Sequence, residues 1–149
     1  MSPGFRFRET MKGTFHLLSS PVEDRAIRLE AEAHADDLLQ FLQDKTWRVE
    51  GEIELEGFAE RQAVQGTIVF HLIDERRLPY RLTFEGNDGA RYELRGQKEW
   101  SVAAPLESMV VLPASLYDEH GDEVGRCSLR FDLRNDLASF LKSFRVRLL

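Results

Sequence analysis

The stretch WRVEGEIELE, residues 47–56, decides the fold. Trp47, Val49, Ile53 and Leu55 recur with a period of two, Gly51 keeps their phase, and Arg48, Glu50, Glu52, Glu54 and Glu56 fill the other phase. A helix advances about 100° per residue and cannot gather alternate side chains on one face, so the pattern marks a strand with one side in a core and the other in water.

The same alternation recurs upstream. From Phe5 to Leu17, Phe5, Phe7, Met11, Phe15 and Leu17 share one phase, and Arg6, Arg8, Thr10, Lys12 and His16 share the other. Gly13 falls in the inward phase, where a missing side chain implies a bend or a bulge. After the Ser19-Ser20-Pro21 break, Ile27, Leu29, Ala31 and Ala33 alternate with Arg28, Glu30, Glu32 and His34, a second strand despite its helix-friendly composition. Asp36 offers an N-cap for a short helix to about Gln43, with Leu38, Leu39, Phe41 and Leu42 as its apolar stripe.

Downstream of the opening strand, FAERQAVQG (58–66) has no clear period and reads as a loop before a strand from Thr67 to Ile73. That strand is apolar on both faces, so something must cover both sides, and the two helices are the candidates. Tyr80–Glu85 and Arg91–Trp100 flank Gly86-Asn87-Asp88-Gly89, a turn sequence because Gly, Asn and Asp tolerate positive φ. Met109–Tyr117 and Val124–Leu133 flank Asp118–Glu123 as a second hairpin. Asn135 can cap a C-terminal helix in which Leu137, Phe140, Leu141 and Phe144 form one face, with Lys142, Arg145 and Arg147 where the helix dipole favours cations. The expected fold is mainly β: one domain over residues 1–149, an antiparallel β-barrel or sandwich of lipocalin size. It has about eight or nine strands, one short internal helix and one C-terminal helix.

Composition narrows the function classes. Hydrophobic residues at 42% and charged residues at 31% give an ordinary globular balance, so a folded chain is expected throughout. The net charge of −6 disfavours non-specific binding to a polyanion, so no nucleic-acid partner is expected. No apolar run suits a secretory signal or a membrane span, and the single cysteine, Cys127, can form no internal disulfide. A cytoplasmic protein is the expectation.

Two charges break the alternation. Glu9 sits in the apolar phase between Phe7 and Met11, and Lys98 follows Tyr92, Leu94 and Gly96 in the apolar phase of its strand, before Trp100. Neither is cheap to bury alone, so they are candidates to pair. Glu9, Lys98, Tyr92 and Trp100 are therefore the candidate ligand-binding residues, holding a polar head group in an apolar cavity, with Glu9 and Lys98 as a general acid and base in the enzymatic version. The competing reading is a sheet-end ion pair, or charges that escape through a bulge at Gly13 or Gly96.

Other chemistry finds no motif. There is no Gly-x-Ser-x-Gly elbow, Ser108 and Ser115 lie in strand-like surroundings, and Cys127 shares the phase of Leu129, Phe131 and Leu133 as a buried, inert thiol. His16, His34, His71 and His120 lack metal-ligand spacing. His34 with Asp36 and Asp37 reads as a solvated strand end, and Asp118, Glu119, Asp122 and Glu123 as a hairpin tip. No catalytic residue, metal or cofactor is expected. Glu50, Glu52, Glu54 and Glu56 form an acidic row, and Arg126, Arg130 and Arg134 a basic one. Neighbouring strands would make the rows cross-strand partners; separated strands would make one a docking patch.

The segments FRFRETMKGTF and LPYRLTFEGNDGARYELRGQKEW resemble a β-rich domain that accompanies the catalytic domains of some bacterial glucose-methanol-choline-type flavin oxidoreductases, cholesterol-oxidase-like members included. Phe7, Glu9, Met11 and Gly13, then Tyr80, Leu82, Phe84, Gly89, Tyr92, Leu94, Gly96 and Lys98, carry the resemblance. It implies an accessory or lipid-related domain, without the flavin-binding Gly-x-Gly-x-x-Gly turn, which this sequence lacks. The resulting expectation is a non-enzymatic binding or accessory domain, for an apolar small molecule or for docking to a partner oxidoreductase that modifies lipids. A small enzyme using Glu9 and Lys98, or a self-associating structural protein, are the alternatives.

Overall fold

A computed structural model describes residues 4–71, 75–99, 101, 103, 105–132 and 145–147. Eight antiparallel strands close into a barrel. They are β1 (Gly4–Leu17), β2 (Arg25–Ala35), β3 (Thr46–Leu55), β4 (Ala59–Val69), β5 (Arg77–Glu85), β6 (Arg91–Glu99), β7 (Val111–Tyr117) and β8 (Glu123–Phe131). Each pairs with the next in sequence, and β8 returns to β1 with Met11 opposite Phe131 and Leu17 opposite Gly125. A short β9 (Arg145–Arg147) continues that edge by pairing with Gly4–Arg6. Helix α1 (Leu38–Asp44) links β2 to β3, and α2 (Pro105–Val110) precedes β7. No helix among the described residues is long and apolar enough to cross a membrane.

Closure consumes both faces of the alternation. Inward residues such as Met11, Leu29, Ile53, Leu82, Leu94, Leu112, Leu116 and Leu129 are fully buried in one contiguous apolar core, while their neighbours face outward. The tight sheet curvature demands glycine where strands approach most closely. At Gly13 a Cβ would lie 1.7 Å from the Ser128 carbonyl oxygen, yet the ladders to β2 and β8 run through Gly13 without a shift. Of the bend or bulge expected at Gly13, the unshifted register excludes the bulge.

Several sequence expectations need correction. FAERQAVQG is not a loop: it forms most of β4, which ends at Val69 and does not run to Ile73. The register slips between Ile53 and Leu55, where Gln62 and Ala59 are the partners, and Arg61 between them has φ 51°. That extra residue switches the inward positions from Ala59 to Val64, Gly66 and Ile68, so no single period of two spans the segment. Met109 and Ser108 belong to α2, and β7 begins at Val111; six residues make too short a helix to show a period. The cap of α1 is Asp37, whose carboxylate accepts from the amides of Leu39 and Gln40, and not Asp36. Glu56 lies in the turn after β3. The C-terminal helix expected from Asn135 lies largely outside the described residues, but Arg145 and Arg147 are in β9, not at a helix end.

The two ends of the barrel differ. At one end the β5–β6 turn is tied to the β3–β4 turn: the Asn87 amide donates to the Phe58 carbonyl, and its side-chain oxygen accepts from the Glu60 amide. The other end carries the longer connections with α1 and α2. There Phe41 of α1 stacks on Trp47 at 5.2 Å and meets Phe70 at 6.1 Å, so the cover expected over the apolar end of β4 is supplied by α1. Leu39 and Leu42 of the same helix are not part of that contact and remain 67% and 63% exposed.

Candidate functional site

Glu9 and Lys98 are the buried charged residues of the described chain, 7% and 5% exposed. Each is inward for a local reason. Glu9 keeps the phase of Phe7 and Met11 and lies opposite Ala31; Lys98 keeps the phase of Leu94 and Gly96 and lies opposite Leu78. Strands β1 and β5 are four apart in an eight-stranded closed sheet, so they face each other across the interior. Glu9 thereby reaches Tyr80 of β5 as well as Lys98 of β6.

The three side chains form a closed set of contacts. Tyr80 Oη donates to Glu9 Oε1 at 2.6 Å, and Lys98 Nζ donates to Glu9 Oε2 at 3.2 Å. Lys98 Nζ also lies 5.3 Å from the centre of the Tyr80 ring, within cation–π range. Gly96 lies opposite Tyr80 on β6, and its missing side chain lets β7 approach, since a Cβ there would lie 2.5 Å from the Pro113 carbonyl oxygen. Burial pushes the Tyr80 hydroxyl well above its usual value, and the charge and hydrogen bond of Glu9 add to the shift. Tyr80 is thus a fixed proton donor at neutral pH, while the carboxylate has a hydrogen-bond donor on each oxygen. The ammonium has three N–H donors, and Glu9 takes one of them. Among the described residues its other contact is the Tyr80 ring.

Of the four residues singled out from the sequence, Glu9 and Lys98 therefore meet. Tyr92 does not join them: its hydroxyl donates to Asp88 Oδ2 at 2.7 Å and its ring rests on Phe58 at 4.7 Å, at the tight-turn end. Trp100 lies outside the described residues. Tyr80 was missed as a member because a tyrosine among Leu78, Leu82 and Phe84 reads as core. The signal was in the hairpin: counting back from the Gly86–Gly89 turn places Tyr80 opposite Gly96, one inward position from Lys98.

The remaining candidates lie away from this cluster. His34 Nδ1 lies 3.2 Å from Asp36 Oδ1, and Arg48 donates to Asp36 Oδ2 at 2.5 Å. The Arg48 hydrogen bond is the main reason the Asp36 carboxyl is held below its ordinary value. Asp118 Oδ1 accepts from the His120 and Asp122 amides and so builds the β7–β8 turn. Cys127 is buried, and burial raises its thiol to about 12. Among the described residues no group of three or more His, Cys, Asp or Glu is arranged to hold a metal ion. The charged rows lie apart: β2 and β1 stand between β3, with Glu50, Glu52 and Glu54, and β8, with Arg126 and Arg130. Arg134 is outside the described residues.

No family model, curated protein or solved structure matches the chain.

Proposed function

We propose that this barrel is a non-enzymatic binding or accessory domain for an apolar, lipid-like molecule whose neutral oxygen, a hydroxyl or a carbonyl, is received by Lys98. The observation that carries the reading is the buried ammonium, held in place by Glu9 and Tyr80 with donor capacity beyond its contact to Glu9. Because Glu9 already neutralises Lys98, a carboxylate head group would bring an uncompensated charge into the interior, which favours a neutral oxygen. The interior positions near Glu9 are small, Ala31 opposite it and Ala33 next along β2, so the polar cluster borders a region with short side chains.

The resemblance to the oxidoreductase-associated domain supports the same reading. Apart from the turn residue Gly89, the positions that carry it lie in the inward phase of β1, β5 and β6, and they include Glu9, Tyr80 and Lys98. Docking to a lipid-modifying oxidoreductase is the second form of this function, favoured by the exposed Leu39 and Leu42 on α1 at the end where the longer connections gather. An acid–base role for the pair is disfavoured, because Tyr80 and Lys98 both donate to Glu9 in the dry interior.

The test is a binding titration with dehydroergosterol, a fluorescent sterol carrying one hydroxyl, beside cis-parinaric acid, alongside native mass spectrometry of the purified protein. Saturable dehydroergosterol binding that weakens about tenfold in an E9Q/K98M variant, which removes both charges and keeps the volume, is the expected result. No retained lipid mass and no saturable binding of either probe would dismiss the ligand form.

A further inference from the structure

A second site lies on the outside of the barrel. Across β5, β6, β7 and β8 runs an open groove of about 620 Å³, lined on one side by Pro79, Gln97 and Pro113 and on the other by Arg81, Arg95, Ser115 and Arg126. The cross-strand register puts these side chains in one row: Arg81 opposite Arg95, Arg95 opposite Ser115, and Ser115 opposite Arg126. Four strands at about 4.8 Å spacing make the row about 14 Å long. Like charges directly opposite on a sheet repel, so an arginine facing an arginine needs an anion between or above them.

The protein supplies only part of that anion. A single carboxylate oxygen, Glu93 Oε1, accepts from Arg81 Nε at 3.0 Å and also from Arg95 Nε. Glu123 Oε1 accepts from Arg126 Nε at 2.6 Å. Three guanidinium groups thus meet two carboxylates. Each arginine is held through Nε, and its Nη amino groups take no hydrogen bond among the described residues. Arg95 is further fixed over the Tyr117 ring, 4.5 Å from its centre. A guanidinium held at one edge and free at its fork is the arrangement that recognises carboxylate or phosphoryl oxygens in pairs. The Ser115 hydroxyl, between Arg95 and Arg126, adds a neutral donor.

We infer that this groove binds a small oxyanionic ligand bearing phosphoryl or carboxylate groups, with Arg81 and Arg95 as one fork pair and Ser115 with Arg126 extending the site. The net charge of −6 opposes long-range capture of polyanions, so recognition is by short-range hydrogen bonding and weakens as salt rises.

The experiment is calorimetric titration of the whole chain with inorganic pyrophosphate and, separately, with citrate, at low and at high salt. Saturable binding of at least one probe at low salt is expected, with a loss of about tenfold or more in R81Q/R95Q and no change in R28Q, an arginine on the far side of β1 from the groove. Pyrophosphate alone would assign phosphoryl chemistry, and citrate alone would assign carboxylate chemistry. Absence of binding by both at millimolar concentration, or equal binding by R81Q/R95Q with its circular dichroism unchanged, would overturn the inference.

Discussion

Replacing Lys98 by Met tests whether the interior is as dry as the contacts imply. Methionine fills a similar volume, so the cost comes from Glu9, which keeps its bond from Tyr80 but loses its only positive partner among the described residues. Breaking a buried pair by removing one partner costs about 3–5 kcal/mol, and K98M is expected to lose that much at pH 7. Urea unfolding followed by circular dichroism measures the loss against the wild type. E9Q/K98M should regain most of the loss, because it leaves no charge behind. A loss below about 1 kcal/mol would mean that Glu9 reaches water once Lys98 is gone and that the interior is not dry.

Further outcomes follow from the same packing. Gly13→Ala should cost about 3 kcal/mol or more in urea midpoint analysis, because its Cβ would meet the Ser128 carbonyl. By contrast Gly89→Ala, at φ 80° with open space around it, should lose only about 1–2 kcal/mol. Alkaline titration of tyrosinate absorbance should show no Tyr80 ionisation in the native state through pH 10, and Y80F should leave the native curve unchanged below about pH 11. Since the folded-state value is raised, the stability linked to Tyr80 is complete below about pH 10 and falls as the pH climbs beyond it. Cys127 should react with a disulfide reagent at pH 8 only after urea is added; rapid labelling of the native protein would contradict its burial.

The strand pattern was readable wherever one period of two ran unbroken. Trp47–Leu55 and Phe5–Leu17 showed it plainly, and the wrong-phase charges at Glu9 and Lys98 were visible for the same reason. Reading failed where a local event reset the phase, as the extra residue at Arg61 does in β4, or where an element was too short to show a phase, as with α2. The meeting of Glu9 with Tyr80 was hidden for another reason. Their strands are not adjacent, and only closure of the whole sheet brings them face to face. The question of the acidic and basic rows had the same character, since strand order alone shows that β3 and β8 are not neighbours.

The seam between β1 and β8 also shapes how the molecule comes into being. During synthesis β1 emerges before β8, so its Met11–Leu17 edge has no partner until residues 125–131 are available. Meanwhile a half-built sheet exposes two bare edges and an apolar concave face, a risk for aggregation. Joining ends so distant in sequence must offset a large loop entropy, so acquisition of the native state should be slow. A permutant opened in the exposed β1–β2 turn, with β1 following β8, would move the seam to the β1–β2 pair, and hydrogen-exchange protection during refolding should then appear last there and not between β1 and β8.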